Sequence, residues 1–219
     1  MSSHGHEWLG MYLNAQGLGI QRSGDWIFRG VDFELRRGDR WILTGASGKG
    51  KSTLLRCLAG LLEPTEGRVV RSAPMQFGWM AQADLLLPWR TVWDNACLGM
   101  ELGDLPSLKS EVERVLDRLG LLRYGGYFPT QLSQGMRQRV ALARTLLRKA
   151  PFLLLDEPCS ALDMGLRHQV LDLIIEFQER DQFGLVMVTH HDEDATCIQA
   201  RTVCLAEGSL REVSCCGVG

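Results

Sequence analysis

The sequence predicts an α/β fold: a mainly parallel sheet with helices on both faces, a strand-rich N-terminal region and an inserted helical subdomain. Three observations predict it. After about residue 150, short apolar runs alternate with segments of helical periodicity, as in strand–helix–strand units. The first 80 residues read mostly as strands. Between about Ala83 and Ala150 a period near 3.6 dominates.

The elements follow in order. Val31-Asp32-Phe33-Glu34-Leu35 alternates with period two, as a half-exposed strand does. Arg36-Arg37-Gly38-Asp39 is a turn, and Trp41-Ile42-Leu43 is a short apolar strand running into a Gly-rich loop. Lys51 to Leu58 reads as a helix closed by Gly60. Val69–Val70 and Phe77–Met80 are further short strands. In the insert, Val112, Val115, Leu116 and Leu119 make one helical stripe, ended by Gly120. Val140, Leu142, Ala143, Leu146 and Leu147 make another, ended by Pro151. The alternation then resumes with a strand at Phe152–Leu155, a helix from about Met164 to Arg180 and a strand at Leu185–Thr189. A helix after Asp192 and a strand at Thr202–Leu205 complete it. The predicted division is a core of residues 8–82 and 151–212, a helical subdomain of 83–150, and tails at 1–7 and 213–219.

Composition narrows the function classes. The 219 residues are 45% hydrophobic and 23% charged, which excludes disorder or coiled coil as the main architecture. A chain of this length buries roughly 70–75% of its unfolded surface and needs no staples. Its 24 basic and 26 acidic residues give a net charge of −2, unlike the basic footprint of a nucleic-acid binder. Seven cysteines, an odd number without CxxC pairs, argue for a reduced setting rather than a disulfide framework. No run of about 20 apolar residues is present to span a membrane. The N-terminus lacks the pattern of a secretory signal. Ser2-Ser3-His4 has donors for a square-planar Cu(II) or Ni(II) site if Met1 is removed, although a plain tail is the default reading. Cys215–Cys216 reads as a loose end open to oxidation.

The strongest local signal is Gly45-Ala46-Ser47-Gly48-Lys49-Gly50-Lys51-Ser52-Thr53, which matches GxxxxGK[ST] between a strand and a helix. Its glycines let the backbone aim N–H groups inward, and the following helix adds its positive end, so the loop is built for phosphates. Lys51 is placed to reach β- and γ-phosphates and the Ser52 hydroxyl to hold Mg²⁺. Lys49 is either a further phosphate contact or a solvated side chain. The run Phe152–Leu155 ends in Asp156-Glu157, putting two carboxylates at the C-terminal edge of a buried strand, where ligands bind in open parallel sheets. There Asp156 suits the metal and Glu157 suits an attacking water. Leu132-Ser133-Gln134-Gly135-Met136-Arg137-Gln138-Arg139 begins a helix with Ser133 as N-cap. The residues alone do not decide whether this is only a capped helix or also an anion-binding end. His190, after a strand, is by itself more often structural.

Taken together, GASGKGKST, Gln82, LSQGMRQR, LLLDEP, SALD and Thr189-His190 resemble the ATP-binding cassette family over about residues 8–210. The resemblance implies a P-loop NTPase fold with an N-terminal antiparallel β region, and ATP and Mg²⁺ as ligands. It implies that Gln82 contacts Mg²⁺ and couples to a membrane partner, and that Glu157 is the catalytic carboxylate. Ser133, Gln134, Gly135 and Met136 resemble the signature that meets ATP on the other subunit. Ser160-Ala161-Leu162-Asp163 resembles the D-loop, and His190 the switch histidine. LLLPWRTVWDN with LSQGMRQRVALAR is similar to importers of nitrate, taurine, sulfonates and thiamine precursors.

Three departures stand out. Gln134 replaces the first glycine of the family signature, and His191 stands where Asp usually follows the switch histidine. Arg22 and Ser23 occupy the place of the adenine-stacking aromatic, leaving Arg22 or nearby Trp26 to meet the base. The implied partners are a second copy of the chain, integral membrane permease subunits and a periplasmic solute-binding protein. The implied location is cytoplasmic, peripheral on the inner face of the cell membrane. The rival expectations are an exporter or lipid-moving ATPase and a soluble non-transport switch protein.

Overall fold

The computed structural model describes residues 10–73, 76–98, 100 and 105–213. The expectations for Ser2, Ser3, His4, Cys215 and Cys216 lie outside them, as do the two tails apart from Val213. The chain opens with a hairpin of β1 (Tyr12–Arg22) and β2 (Asp25–Arg36), joined by Ser23 and Gly24 at φ 53° and 93°. Two positive-φ residues match the right-handed twist of the strands they connect. With β4 (Glu66–Arg71) these strands form a three-stranded antiparallel sheet in the order β2-β1-β4. The sequence pattern showed β2 only from Val31 and missed β1, whose buried positions do not alternate strictly because its pairing carries bulges.

The second sheet has six strands in the order β5-β6-β7-β3-β8-β9. They are β3 (Arg40–Thr44), β5 (Phe77–Met80), β6 (Phe152–Asp156), β7 (Gly184–Val188), β8 (Arg201–Ala206) and β9 (Ser209–Val213). All neighbours pair in parallel except β8 with β9. The mainly parallel α/β class is therefore what the chain adopts. β6 and β7 are buried at every position, as strands covered on both faces must be. Period two persists inside them. Leu153 and Leu155 enter one core with α4 (Gln134–Leu147) and α5 (Met164–Asp181). Phe152 and Leu154 enter the other, with α1 (Lys51–Ala59) and the antiparallel sheet.

Among the described residues between β5 and β6 lie α2 (Val92–Cys97), α3 (Leu105–Arg118), short 3-10 turns at Leu122–Tyr124 and Pro129–Gln131, and α4. The stripes read from the sequence are their buried faces: Val112, Val115, Leu116 and Leu119, then Val140, Leu142, Ala143, Leu146 and Leu147. Gly60 and Ser133 cap as their chemistry requires, Gly60 at φ 74° and Ser133 by accepting from Met136 N–H at 3.3 Å. A short α6 (Glu193–Cys197) leads into β8. Among the described residues, no helix is long and apolar enough to cross a membrane.

Candidate functional site

Three parallel neighbours, β6, β7 and β3, end at one level, with Asp156 opposite Val188 and Leu43 opposite Val188. The chain leaving each strand therefore lands on the same sheet edge: residues 45–53 after β3, Glu157 after β6, and Thr189-His190 after β7. This is how a parallel sheet gathers side chains more than a hundred residues apart.

The loop after β3 is shaped by close approach. Gly45 stands at φ 134°, and a Cβ there would meet the Leu205 carbonyl oxygen at 2.4 Å. Gly50, at φ 96°, is the N-cap of α1, and a Cβ on it would meet Ile27 Cγ2 at 2.4 Å. Only glycine fits such positions, where the dihedral and the contact both exclude a side chain. Gly48, at φ 74°, turns the loop between them, with Lys49 N–H donating to the Ala46 carbonyl at 3.3 Å. Ser47 and Lys49 are exposed, whereas Lys51 is 6% exposed. Its ammonium donates to the Gly45 and Ala46 carbonyls at 2.7 and 3.0 Å. An ammonium has three donors, so one remains to reach an anion cradled by the loop. Ser52 and Thr53 open α1, at the positive end of its dipole.

Asp156 ends β6 and is 3% exposed. Burial pushes its carboxyl above the usual carboxylate range, with its neighbour Glu157 adding to the rise. The Ser52 hydroxyl, Arg56 and Lys51 pull it down. Its Oδ1 is buried with no hydrogen-bond partner. A buried carboxylate oxygen left unmatched beside a serine hydroxyl is chemistry that a hard divalent cation satisfies.

Glu157 follows at φ 53°, a left-handed conformation that costs a residue with a Cβ on the order of 1 kcal/mol. Its carboxylate is held at both oxygens. Oε1 lies 2.7 Å from His190 Nε2, and Oε2 accepts from Gln82 Nε2 at 3.1 Å. Gln82, Glu157 and His190, separate in sequence, thus meet as one cluster. Beside it is a cleft of about 200 Å³ lined in part by Ser160, Thr189, His190 and His191.

Some positioning residues gave no sequence signal. Asp194, 1% exposed, takes the Arg167 guanidinium on Oδ1 (Nε at 2.8 Å, Nη2 also bonded) and the Thr189 hydroxyl on Oδ2 at 2.5 Å. The residue before His190 is thereby tied to α5. Buried Asn95 joins the Leu87, Arg90 and Thr91 backbones and so shapes the LPWRT segment that follows Gln82. An alternating or helical pattern cannot flag a buried polar group whose partners come from elsewhere.

The remaining expected residues are spread over the same chain. Ser133, Gln134, Gly135 and Met136 begin α4, with Ser133 and Gln134 exposed and Met136 packed toward the core. Among the described residues, no hydrogen bond joins them to residues 45–53. Ser160, Ala161, Leu162 and Asp163 lie between Glu157 and α5, with Asp163 capping α5 by accepting from Leu166 N–H at 3.0 Å. Arg22 is exposed beside the β1–β2 turn. Trp26 is 36% exposed and carries the Arg29 guanidinium over its ring at 4.6 Å, with Arg29 paired to Glu66. The β2 side chains set against the loop at Gly50 are Ile27 and Phe28, which the sequence reading did not single out.

Comparison with known proteins identifies the arrangement. Residues 28–160 match the family model described as ABC transporter. The chain belongs to the ABC transporter family. It is 38% identical over 186 residues to the aliphatic sulfonates import ATP-binding protein SsuB 2 of Pseudomonas savastanoi pv. phaseolicola, covering 85% of this chain and 68% of that one. It is 36% identical over 200 residues to SsuB 3 of Nocardia farcinica, covering 91% and 79%. A solved dimeric structure of an ATP-binding cassette in a post-hydrolysis state, bound to ADP and Pi, superposes with a TM-score of 0.83. It is 26% identical and covers 94% of this chain and 99% of that one. The chain is an ABC-type ATPase.

Proposed function

We propose that this cassette is the ATPase subunit of an importer for small organic sulfonates, working as a pair of copies beneath a membrane permease. The carrying observation is the likeness to aliphatic sulfonates import ATP-binding proteins, at 36–38% identity over 85–91% of the chain, joined to one sheet edge that gathers Lys51, Asp156, Glu157 and His190. A periplasmic solute-binding protein supplies the cargo. The chain works on the cytoplasmic face of the membrane, and its partners form the passage.

In this reading the triphosphate lies along residues 45–53, with backbone N–H groups and the third Lys51 donor on its β- and γ-phosphates. Lys49 adds positive charge at the loop's outer side. Ile27 offers an apolar contact to the base, with Arg22 and Trp26 on the same hairpin as its outer contacts. Ser52, Asp156 and Gln82 would hold Mg²⁺, which supplies charge neutralisation on the phosphate oxygens. Glu157 accepts a proton from the attacking water as the new O–P bond forms and the bond to the β–γ bridging oxygen breaks. Gln82 and His190 take one acceptor site on each Glu157 oxygen, and a second site on each is left for that water. His190 then faces the γ-phosphate.

Ser133, Gln134, Gly135 and Met136 meet the γ-phosphate bound by the partner copy, with residues 160–163 alongside. Two sites are thus completed at one two-fold interface. Residues 8–82 and 151–212 act as the nucleotide-binding core, and residues 83–150 as the subdomain that carries its motion to the permease.

The test is reconstitution of the cassette with its co-purifying permease in vesicles. ATP-driven uptake of an alkanesulfonate is expected, and none with Lys51→Ala. Uptake of another solute class with no sulfonate uptake overturns the cargo assignment. Nucleotide affinity unchanged in Lys51→Ala overturns the phosphate-loop assignment.

A further inference from the structure

Gln138 lies one turn into α4, beyond the signature residues, and is 4% exposed. A buried primary amide has to match its polar atoms, and this one does so entirely on the segment after β6. Its Nε2 donates to the Glu157 carbonyl at 2.6 Å and to Ser160 Oγ at 3.0 Å. Its Oε1 accepts from Ala161 N–H at 3.2 Å. The Glu157 N–H is meanwhile fixed to the Val188 carbonyl at 3.1 Å, at the end of β7. The peptide groups flanking the Glu157 Cα are therefore clamped from opposite sides, and between them the backbone sits at φ 53°. A residue keeps that conformation only where its surroundings impose it. Gly135 brings α4 close enough for this reach, since a Cβ on it would meet the Ala161 carbonyl oxygen at 2.9 Å.

We propose that Gln138 is a positioning residue for hydrolysis: it holds Glu157 in its strained conformation and ties the aim of that carboxylate to the placement of the signature helix in the same copy. This rests on the reading of Glu157 as the group that takes the water proton. A consequence is that each catalytic carboxylate is set by the helix whose N-terminus faces the nucleotide of the other copy. A shift of α4 on meeting that nucleotide is passed to Glu157 through one amide. Displacing a catalytic group by about 1 Å is enough to cost on the order of a hundredfold in rate.

The experiment measures ATP affinity and steady-state and single-turnover hydrolysis for Gln138→Met, Glu157→Gln and the double variant. Gln138→Glu serves as a second version that keeps length and the acceptor for Ala161. Gln138→Met is expected to lower kcat by roughly ten- to a hundredfold with ATP affinity within about twofold of the parent. In the Glu157→Gln background it should cause little further loss, because the two act as a unit. Hydrolysis retained in Glu157→Gln defeats the underlying catalytic reading. If Glu157→Gln stalls but Gln138→Met and Gln138→Glu turn over within about twofold of the parent, the positioning role is wrong. It is equally wrong if affinity falls in step with kcat, or if the two losses multiply, since both describe a general packing defect.

Discussion

Asp156, in the metal-holding role proposed for it, trades stability for binding. Burial lifts its carboxyl above the ordinary range, so the folded chain takes up that proton at a higher pH than the unfolded chain does. The sign follows from linkage: the contribution is most favourable below the unfolded value and is lost as pH rises through the folded one. Above the folded value the partly unmatched carboxylate is therefore a net cost in the absence of a cation. Asp156→Asn is expected to raise the thermal midpoint of the nucleotide-free protein while abolishing the extra stabilisation given by Mg²⁺ with ATP. Thermal scans at pH 7 with and without both ligands check this. A lowered midpoint without ligands contradicts the account. A second residue-level expectation concerns Cys159, whose thiol burial pushes up to about 12. It should resist alkylation by iodoacetamide in the folded protein at pH 8 and react only on unfolding, because the thiolate is the reactive form.

At the scale of elements, the phosphate loop is held against β8 as much as it is shaped for phosphate. The Gly45 Cα faces the Leu205 carbonyl so closely that alanine there brings both a strained dihedral and a clash with backbone, which cannot swing aside. Gly45→Ala should lower stability by roughly 2–4 kcal/mol without any nucleotide present. Urea unfolding of the ligand-free chain measures it, and an unchanged midpoint would show that the loop relaxes freely. The same element scale explains what the sequence disclosed. β3, α1, α3, α4, β6 and β7 were legible because a continuous apolar run or a 3.6-residue stripe directly records which face is buried. β1 was not, because bulges at Ala15–Leu18 and beyond break its period. α2 was not, because six residues are too few for a stripe, although Thr91 and Asp94 form a capping box at its start. Of the site, the loop and the acidic strand end were readable since their chemistry is local. Gln138 and the Arg167–Asp194 pair were not, because their meaning lies in partners about 20 and 27 residues away.

On the scale of the whole molecule, the proposed division of labour places one half of each reaction on each copy. Lys51, Asp156, Glu157 and His190 share one sheet edge, while Ser133 and Gly135 open a helix that makes no hydrogen bond to the phosphate loop of the described chain. A γ-phosphate bound at that edge adds negative charge facing outward, and the N-terminus of a partner's α4 is the complementary positive end. Two copies related by a two-fold axis satisfy this twice, and the triphosphates themselves form part of the contact. Association should then depend on the nucleotide being bound and uncut. With Glu157 as the proposed acceptor of the water proton, Glu157→Gln is expected to bind without cutting, so with ATP and Mg²⁺ it should run in light scattering at twice the 24.5 kDa of one chain. With ADP it should return to one. The parent should pair only transiently, because loss of phosphate removes the charge that both helices hold, and Lys51→Ala should stay single throughout. If Glu157→Gln saturated with ATP remains at 24.5 kDa, the signature residues have no partner nucleotide to meet and the shared-site arrangement fails.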